Sequence, residues 1–257
     1  MTRLGAAMDL RFTETVPEFV AFLRTLGLDH VEIRQGYLDC HPDAPTPREL
    51  RAIAAETGVS YTFHAPFRDA NPGNFNESLR QATADAVKRS LDTAAAAGAE
   101  AVVVHGGSVP RRYPDRVKAV SREHAVRSLR ECARHADDLG VHLCVENQRW
   151  KSARERNTET PERLAALLDD VGVDSEYLGV TVDVGHAKVT GVEVESFVDE
   201  FGDRIRVAHL HDNDGTADQH DPLREYEALV EVIDADYNVF EMKSLADIER
   251  CVAGGGS

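Results

Sequence analysis

Short runs of β-branched and apolar residues alternate with longer amphipathic runs from one end of the chain to the other. A brief apolar run feeding a stretch with helical periodicity reads as a strand followed by a helix, and repetition of the pair predicts βα units around a parallel sheet. Eight strands are expected, centred on Gly5–Met8, Val31–Ile33, Tyr61–Phe63, Ala101–Val104, His142–Val145, Val180–Val182, Arg206–Leu210 and Val239–Phe240. Helices are expected over Pro17–Leu26, Pro47–Thr57, Glu77–Ala97, Glu123–Leu139, Pro161–Val171, Val194–Phe201, Leu223–Ile233 and Leu245–Val252. Thr46-Pro47 and Thr160-Pro161 place a capping hydroxyl before a proline at the first helical position. Gly27, Gly58, Gly98, Gly140 and Gly172 stand where helices stop.

With 257 residues and no Pro/Gly/Ser-rich linker between the units, the pattern predicts a single-domain α/β protein, a (β/α)8 TIM barrel over residues 1–253. A doubly wound open sheet is the alternative. The closing Gly-Gly-Gly-Ser, residues 254–257, is expected to be a flexible tail.

Charge narrows the partners. The chain carries 45 acidic against 29 basic side chains, a formal charge of −16, and only five of its basic residues are lysines. A strongly acidic surface follows, which repels phosphate backbones and argues against a nucleic-acid partner. Adaptation to high salt is a second explanation of the same balance. Cys40, Cys132, Cys144 and Cys251 form no C-x-x-C pair, the N-terminus has no apolar signal stretch, and no run reaches transmembrane length. The expected setting is the cytoplasm, with no membrane partner and with a homo-oligomer left open.

Candidate chemistry sits at one recurring position, where each apolar strand run ends. His64 follows Tyr61-Thr62-Phe63, His105 follows Val102-Val103-Val104, Glu146 follows Leu143-Cys144-Val145, and Asp183 follows Val180-Thr181-Val182. His209 and His211 close the seventh run, and Glu241 follows Val239-Phe240. In a (β/α)8 barrel the carboxyl ends of the strands form the active face, so these groups converge. Burying several carboxylates and imidazoles together is costly without a compensating cation. Mixed imidazole and carboxylate donors suit zinc, manganese, iron or cobalt better than calcium. His186 lies three residues beyond Asp183 across a glycine that permits a sharp turn, and Asp218 and His220 supply a similar pair on the following loop. Cys144 reads as core filler, and Asp212, Asp214 and Asp221 as solvated loop acids.

The ordered set His64-Ala65-Pro66, Val104-His105-Gly106-Gly107, Val145-Glu146-Asn147, Asp183-Val184-Gly185-His186, His209-Leu210-His211-Asp212, Asp218-Gln219-His220 and Phe240-Glu241 resembles the xylose isomerase-like TIM-barrel superfamily. That superfamily holds sugar isomerases and epimerases together with endonuclease IV. The resemblance implies that Glu146, Asp183, His209 and Glu241 match the metal ligands of its keto-sugar 3-epimerases. It also implies that His64, His105, His186, Asp218 and His220 match further ligands of the three-zinc nuclease site. Two departures weigh against the nuclease: Asn147-Gln148-Arg149-Trp150-Lys151 replaces a small glycine-containing run, and His211 replaces an asparagine.

The expected activity is therefore divalent-metal-dependent isomerisation or epimerisation of a small sugar or sugar derivative. Glu146 and Glu241 move the carbon-bound proton on either side of a metal-stabilised enediolate. His186 and Arg149 are candidates for binding hydroxyls or a phosphate, with Phe67 and Trp150 as pocket walls. The alternatives are a multi-zinc phosphodiesterase acting on abasic DNA and a non-catalytic barrel that binds sugar or metal.

Overall fold

The computed structural model describes residues 2–254. Its strands are β1 (Arg3–Met8), β2 (His30–Arg34), β3 (Ser60–His64), β4 (Ala101–His105), β5 (Ser108–Pro110), β6 (His142–Glu146), β7 (Arg154–Arg156), β8 (Leu178–Asp183), β9 (Ile205–Leu210) and β10 (Tyr237–Phe240). The helices are α1 (Val16–Thr25), α2 (Gln35–Cys40), α3 (Pro47–Thr57), α4 (Glu77–Ala97), α5 (Asp115–Leu139), α6 (Pro161–Val171), α7 (Val184–Thr190), α8 (Val194–Phe201), α9 (Tyr226–Ile233) and α10 (Leu245–Gly254). Eight strands close in the order β1-β10-β9-β8-β6-β4-β3-β2, every neighbouring pair parallel. Pairing of β1 with both β2 and β10 removes the free edges that a doubly wound sheet would keep. The chain is a (β/α)8 barrel.

The strands read as continuous apolar runs because both of their faces are covered. Outward side chains such as Ile33, Val102, Leu143, Val180 and Leu210 pack beneath the helices. Ala7, Ala101, Val103, Cys144, Val207, Tyr237 and Val239 form a separate inner cluster along the barrel axis. Cys144 is thus filler, as its position two residues before Glu146 suggested. This alternation positions the chemistry. Val103 and His105, Cys144 and Glu146, Val207 and His209, and Val239 and Glu241 share an inward face, so each strand's last inward residue meets the others at one rim.

Local signals act where the sequence placed them. Thr15 and Thr46 form reciprocal capping boxes with Glu18 and Glu49, and Thr160 caps α6. Gly58 and Gly140 follow α3 and α5 with φ of 76° and 65°. Helix α5 starts at Asp115 rather than Glu123, because Pro114 is its N-cap. Short α2 and α7, and the antiparallel pair of β5 with β7 outside the barrel, carry no long periodic pattern and were not expected. Helix α10 runs to Gly254; positions 255–257 of the expected tail lie outside the described residues. Among the described residues no helix is long and apolar enough to cross a membrane.

Candidate metal centre and substrate cleft

The carboxyl ends of the strands open into a cleft of about 650 Å³ whose lining includes His64, Phe67, His105, Glu146, His186, Asp218, His220 and Glu241. Asp183 and His209 lie beneath, fully buried. His209 Nδ1 stands 3.8 Å from Glu146 Oε1, 4.0 Å from Asp183 Oδ2 and 3.7 Å from Glu241 Oε1. These separations are too long for hydrogen bonds, and Nδ1 has no hydrogen-bond partner. Donor atoms each about 2.1 Å from a shared ion stand roughly 3–4 Å from one another. The four residues therefore fit a divalent cation.

The histidine tautomers point the same way. His209 Nε2–H donates to Glu32 Oε2 at 3.0 Å, which leaves the Nδ1 lone pair toward the carboxylates. His64 Nδ1–H donates to the Ala65 carbonyl at 2.9 Å, and its Nε2 lies 3.4 Å from Glu146 Oε2. His186 Nδ1–H donates to the Asn147 carbonyl at 2.9 Å and also lies 3.1 Å from Glu146 Oε1 and 3.2 Å from Asp183 Oδ2, leaving Nε2 3.5 Å from Asp218 Oδ2. His220 Nδ1–H donates to the Glu241 carbonyl at 2.7 Å, leaving Nε2 3.6 Å from Asp218 Oδ1. Each ring spends one nitrogen on an orienting acceptor and aims the other at a carboxylate oxygen. Lone pair facing lone pair is repulsive unless a proton or a metal stands between.

Electrostatics show what holds the cluster when protons fill that place. Burial favours the neutral form of Glu146, but His105, His186 and His209 hold its carboxyl well below the usual range. Burial also acts on Glu241, and Arg34, His209 and His220 outweigh it in the same direction. Burial opposes charge on His209 and His186, yet Glu32 and Glu241 raise the first, and Asp183, Asp218 and Glu146 raise the second. His105 Nε2, 3.0 Å from Glu146 Oε2, has its pKa lowered by burial. Donor atoms also lie within 4.8 Å of one another in His64, His105 and Glu146 on one side and in His211, Asp218 and His220 on the other, while Glu32–His209–Glu241 and Asp183–His211–Glu241 meet the same criterion within and beside the first cluster.

Local folding explains the placement. Asp183 accepts from the His186 backbone N–H at 2.7 Å, which starts α7 directly after β8. Gly185 is required there, since a Cβ would lie 2.0 Å from His211 Cε1. His211 instead occupies that space, its Nε2 3.0 Å from Asp183 Oδ1 and its ring stacked on His220 at 4.1 Å.

Of the expected substrate residues, Phe67 lines the cleft with its ring against His64 and His105, at 4.8 and 5.3 Å. Arg149 also lines it, with Nε 3.0 Å from Asp218 Oδ2. Trp150 does not: it is 49% exposed, outside the cleft lining, with the Arg111 guanidinium 5.5 Å from its ring. The chain turns after Gln148, so Arg149 points in and Trp150 out. The strand-end pattern of His, Asp and Glu also passes over several buried residues. Arg34 bonds Asp9 and Glu241, each at 2.6 Å, and Glu32 bonds His209. Asn147 grips the Asp183 backbone through Oδ1 and Nδ2. A charged residue inside the apolar run Val31–Ile33 was the available signal for Glu32, and the strand end for Arg34.

Residues 20–238 match the family model for xylose isomerase-like TIM barrels. The chain belongs to that family. It is 34% identical over 165 residues to an uncharacterized protein, MJ1311, of Methanocaldococcus jannaschii. That match takes in 63% of the chain and 54% of the relative's length. It is 25% identical over 238 residues to a fructoselysine 3-epimerase of Shigella flexneri, covering 86% of the chain and 81% of that enzyme. The solved structure of a D-tagatose 3-epimerase-like protein superposes with a TM-score of 0.82 and 26% identity, over 97% of this chain and 94% of that one.

Proposed function

We propose that the chain is a divalent-metal-dependent epimerase or isomerase of a small keto-sugar or sugar derivative. The observation that carries this reading is the His209 Nδ1 atom set among the carboxylates of Glu146, Asp183 and Glu241 beneath an open cleft. The epimerase names of the family relatives support it. Glu146, Asp183, His209 and Glu241 would hold the ion, with zinc, manganese, iron and cobalt all suited to the donor set. When bound, it supplies Lewis-acid polarisation of a carbonyl and the hydroxyl beside it.

The side chains supply the rest. Glu146 on β6 and Glu241 after β10 approach the cleft floor from strands separated by β8 and β9. Both carboxyls are held ionised at neutral pH, so either can accept a proton from the carbon next to the carbonyl, and the other can return one to the opposite face after it has itself taken a proton from solvent. Arg34 orients Glu241 through the 2.6 Å bond to Oε1. Phe67 covers His64 and His105 and limits water at the reacting carbon. Glu146→Gln and Glu241→Gln should each lower exchange of the substrate's carbon-bound hydrogen with solvent deuterium by at least about a hundredfold. Undiminished exchange in both variants would remove them from this role.

A second reading rests on the two additional donor sets, His64–His105–Glu146 and His211–Asp218–His220. A site with three metals could cleave a phosphodiester at an abasic position in DNA. Elemental analysis separates the readings: about one metal per chain favours the epimerase, and about three with cleavage of an abasic duplex favours the hydrolase.

A further inference from the structure

The segment leaving β6 is rich in cations, although the chain's formal charge is −16. Arg149, Lys151, Arg154 and Arg156 all line the cleft. Strand β7 explains how. Its side chains alternate, so Arg154 and Arg156 share one face toward the cleft while Glu155 points away to Lys118 and Arg163, at 3.0 and 2.8 Å. Pairing of β7 with β5 holds that face in place, and Arg154 is anchored by its Nε and Nη2 to Ser108.

Elsewhere the half-buried and exposed arginines commonly sit against acids, as Arg122 does on Asp170 and Arg206 on Asp236. Lys151, Arg154 and Arg156 are half-buried, and among the described residues none of their side-chain nitrogens has a carboxylate oxygen within 4.0 Å, although Glu159 Oε1 accepts the Arg156 backbone N–H at 3.2 Å. Arg149 differs, being paired with Asp218. The Arg156 guanidinium makes a single described hydrogen bond, from Nη1 to the Arg149 carbonyl. Burial and the neighbouring Arg149 charge push its pKa down to about 10. Lys151 is lowered by burial and by Arg149, Arg156 and Arg154. Three like charges share a half-buried wall with no carboxylate in direct contact with their side chains; Glu146, Asp218 and Glu159 act on Arg156, and Asp218 on Lys151, only from a greater distance.

We infer that Lys151, Arg154 and Arg156 form an anion subsite, and that the substrate carries a phosphate monoester that this wall receives. This rests on the epimerase reading and adds to it, because the tagatose in the related structure's name is an uncharged sugar. A dianion matches this wall better than a single carboxylate, since guanidinium forks and an ammonium together can satisfy several phosphate oxygens. A small phosphorylated sugar suits a cleft of about 650 Å³.

The test uses full-length, metal-loaded protein and two variants, Arg156→Gln and Lys151→Gln, with near-ultraviolet circular dichroism to verify folding. Binding of inorganic phosphate is followed by phosphorus NMR line width. Solvent-deuterium exchange is measured with ketohexoses, their 6-phosphates and the corresponding hexuronates. Phosphate should bind the parent protein and bind each variant roughly ten- to a hundredfold more weakly. The 6-phosphate should exceed the free sugar in kcat/KM by about tenfold or more, and that ratio should fall toward one in the variants. Equal kcat/KM for free and phosphorylated sugars, with phosphate binding unchanged in both variants, overturns the subsite and leaves the epimerase reading standing. A preference for hexuronates overturns the phosphate assignment. Variant-sensitive phosphate binding with no exchange on any sugar supports the subsite and ends the epimerase reading. Cleavage of abasic duplex DNA overturns the small-molecule assignment.

Discussion

Replacing Glu32 is expected to weaken metal binding without touching any of the four proposed ligands. Glu32 Oε2 accepts the His209 Nε2–H at 3.0 Å, both side chains are fully buried, and the Thr62 hydroxyl donates to the same oxygen at 3.4 Å. The bond selects the tautomer that keeps His209 Nδ1 free toward Glu146, Asp183 and Glu241. Glu32→Gln retains an oxygen acceptor but removes the charge. Glu32→Leu removes the acceptor too and strands a buried N–H, which costs about 1–3 kcal/mol. Loss of such an orienting partner lowers metal affinity about 10–100-fold, or about 1.4–2.7 kcal/mol. Glu32→Gln should fall near the lower end and Glu32→Leu near the upper. Chelator competition with Zn²⁺ and Mn²⁺ reads the affinity, and urea unfolding of the metal-free protein separates it from stability. Parental affinity in a folded Glu32→Leu protein would refute the argument. A loss in Glu32→Gln as large as that in Asp183→Asn would show that Glu32 is itself a ligand.

Two further outcomes follow from the packing. His30, in the barrel interior with its nitrogens 2.8 and 3.0 Å from the Ser60 and Thr62 hydroxyls, has its pKa pushed down to about 3 by burial. The unfolded chain takes up that proton below about pH 6.5 while the folded one does not, so this contribution is complete above pH 6.5 and is lost as pH falls toward 3. From pH 7 to pH 5 it removes about 2 kcal/mol; urea curves of His30→Gln should show a correspondingly smaller pH dependence, and an identical dependence would sink the assignment. Gly185→Ala drives a methyl to within 2.0 Å of the His211 ring and should cost about 1–3 kcal/mol, visible as a lower melting temperature. Adding His211→Ala to that variant should recover part of the loss, and strict additivity of the two changes would contradict the clash.

The barrel itself was legible from the chain. Parallel strands buried on both faces must be short apolar runs, covering helices must be amphipathic, and capped starts such as Thr46-Pro47 and glycine stops mark where one gives way to the other. The strand-end rule placed Glu146, Asp183, His209 and Glu241 at one rim together with His64, His105 and His211, because an ionisable group two places beyond an inward residue has only the rim to occupy; the choice of four as ligands came from the family resemblance. What the chain alone could not decide was which nitrogen of each histidine is free, or that Glu32 and Arg34 stand behind His209 and Glu241 from 177 and 207 positions away. It could not place Trp150 outside the cleft and Arg154 and Arg156 inside it, since that depends on an irregular loop and a two-stranded pairing with no periodic signal. Periodicity reports the face a residue presents within its own element. Partners contributed by other elements, and the charges that are left without one, are decided only when the barrel closes.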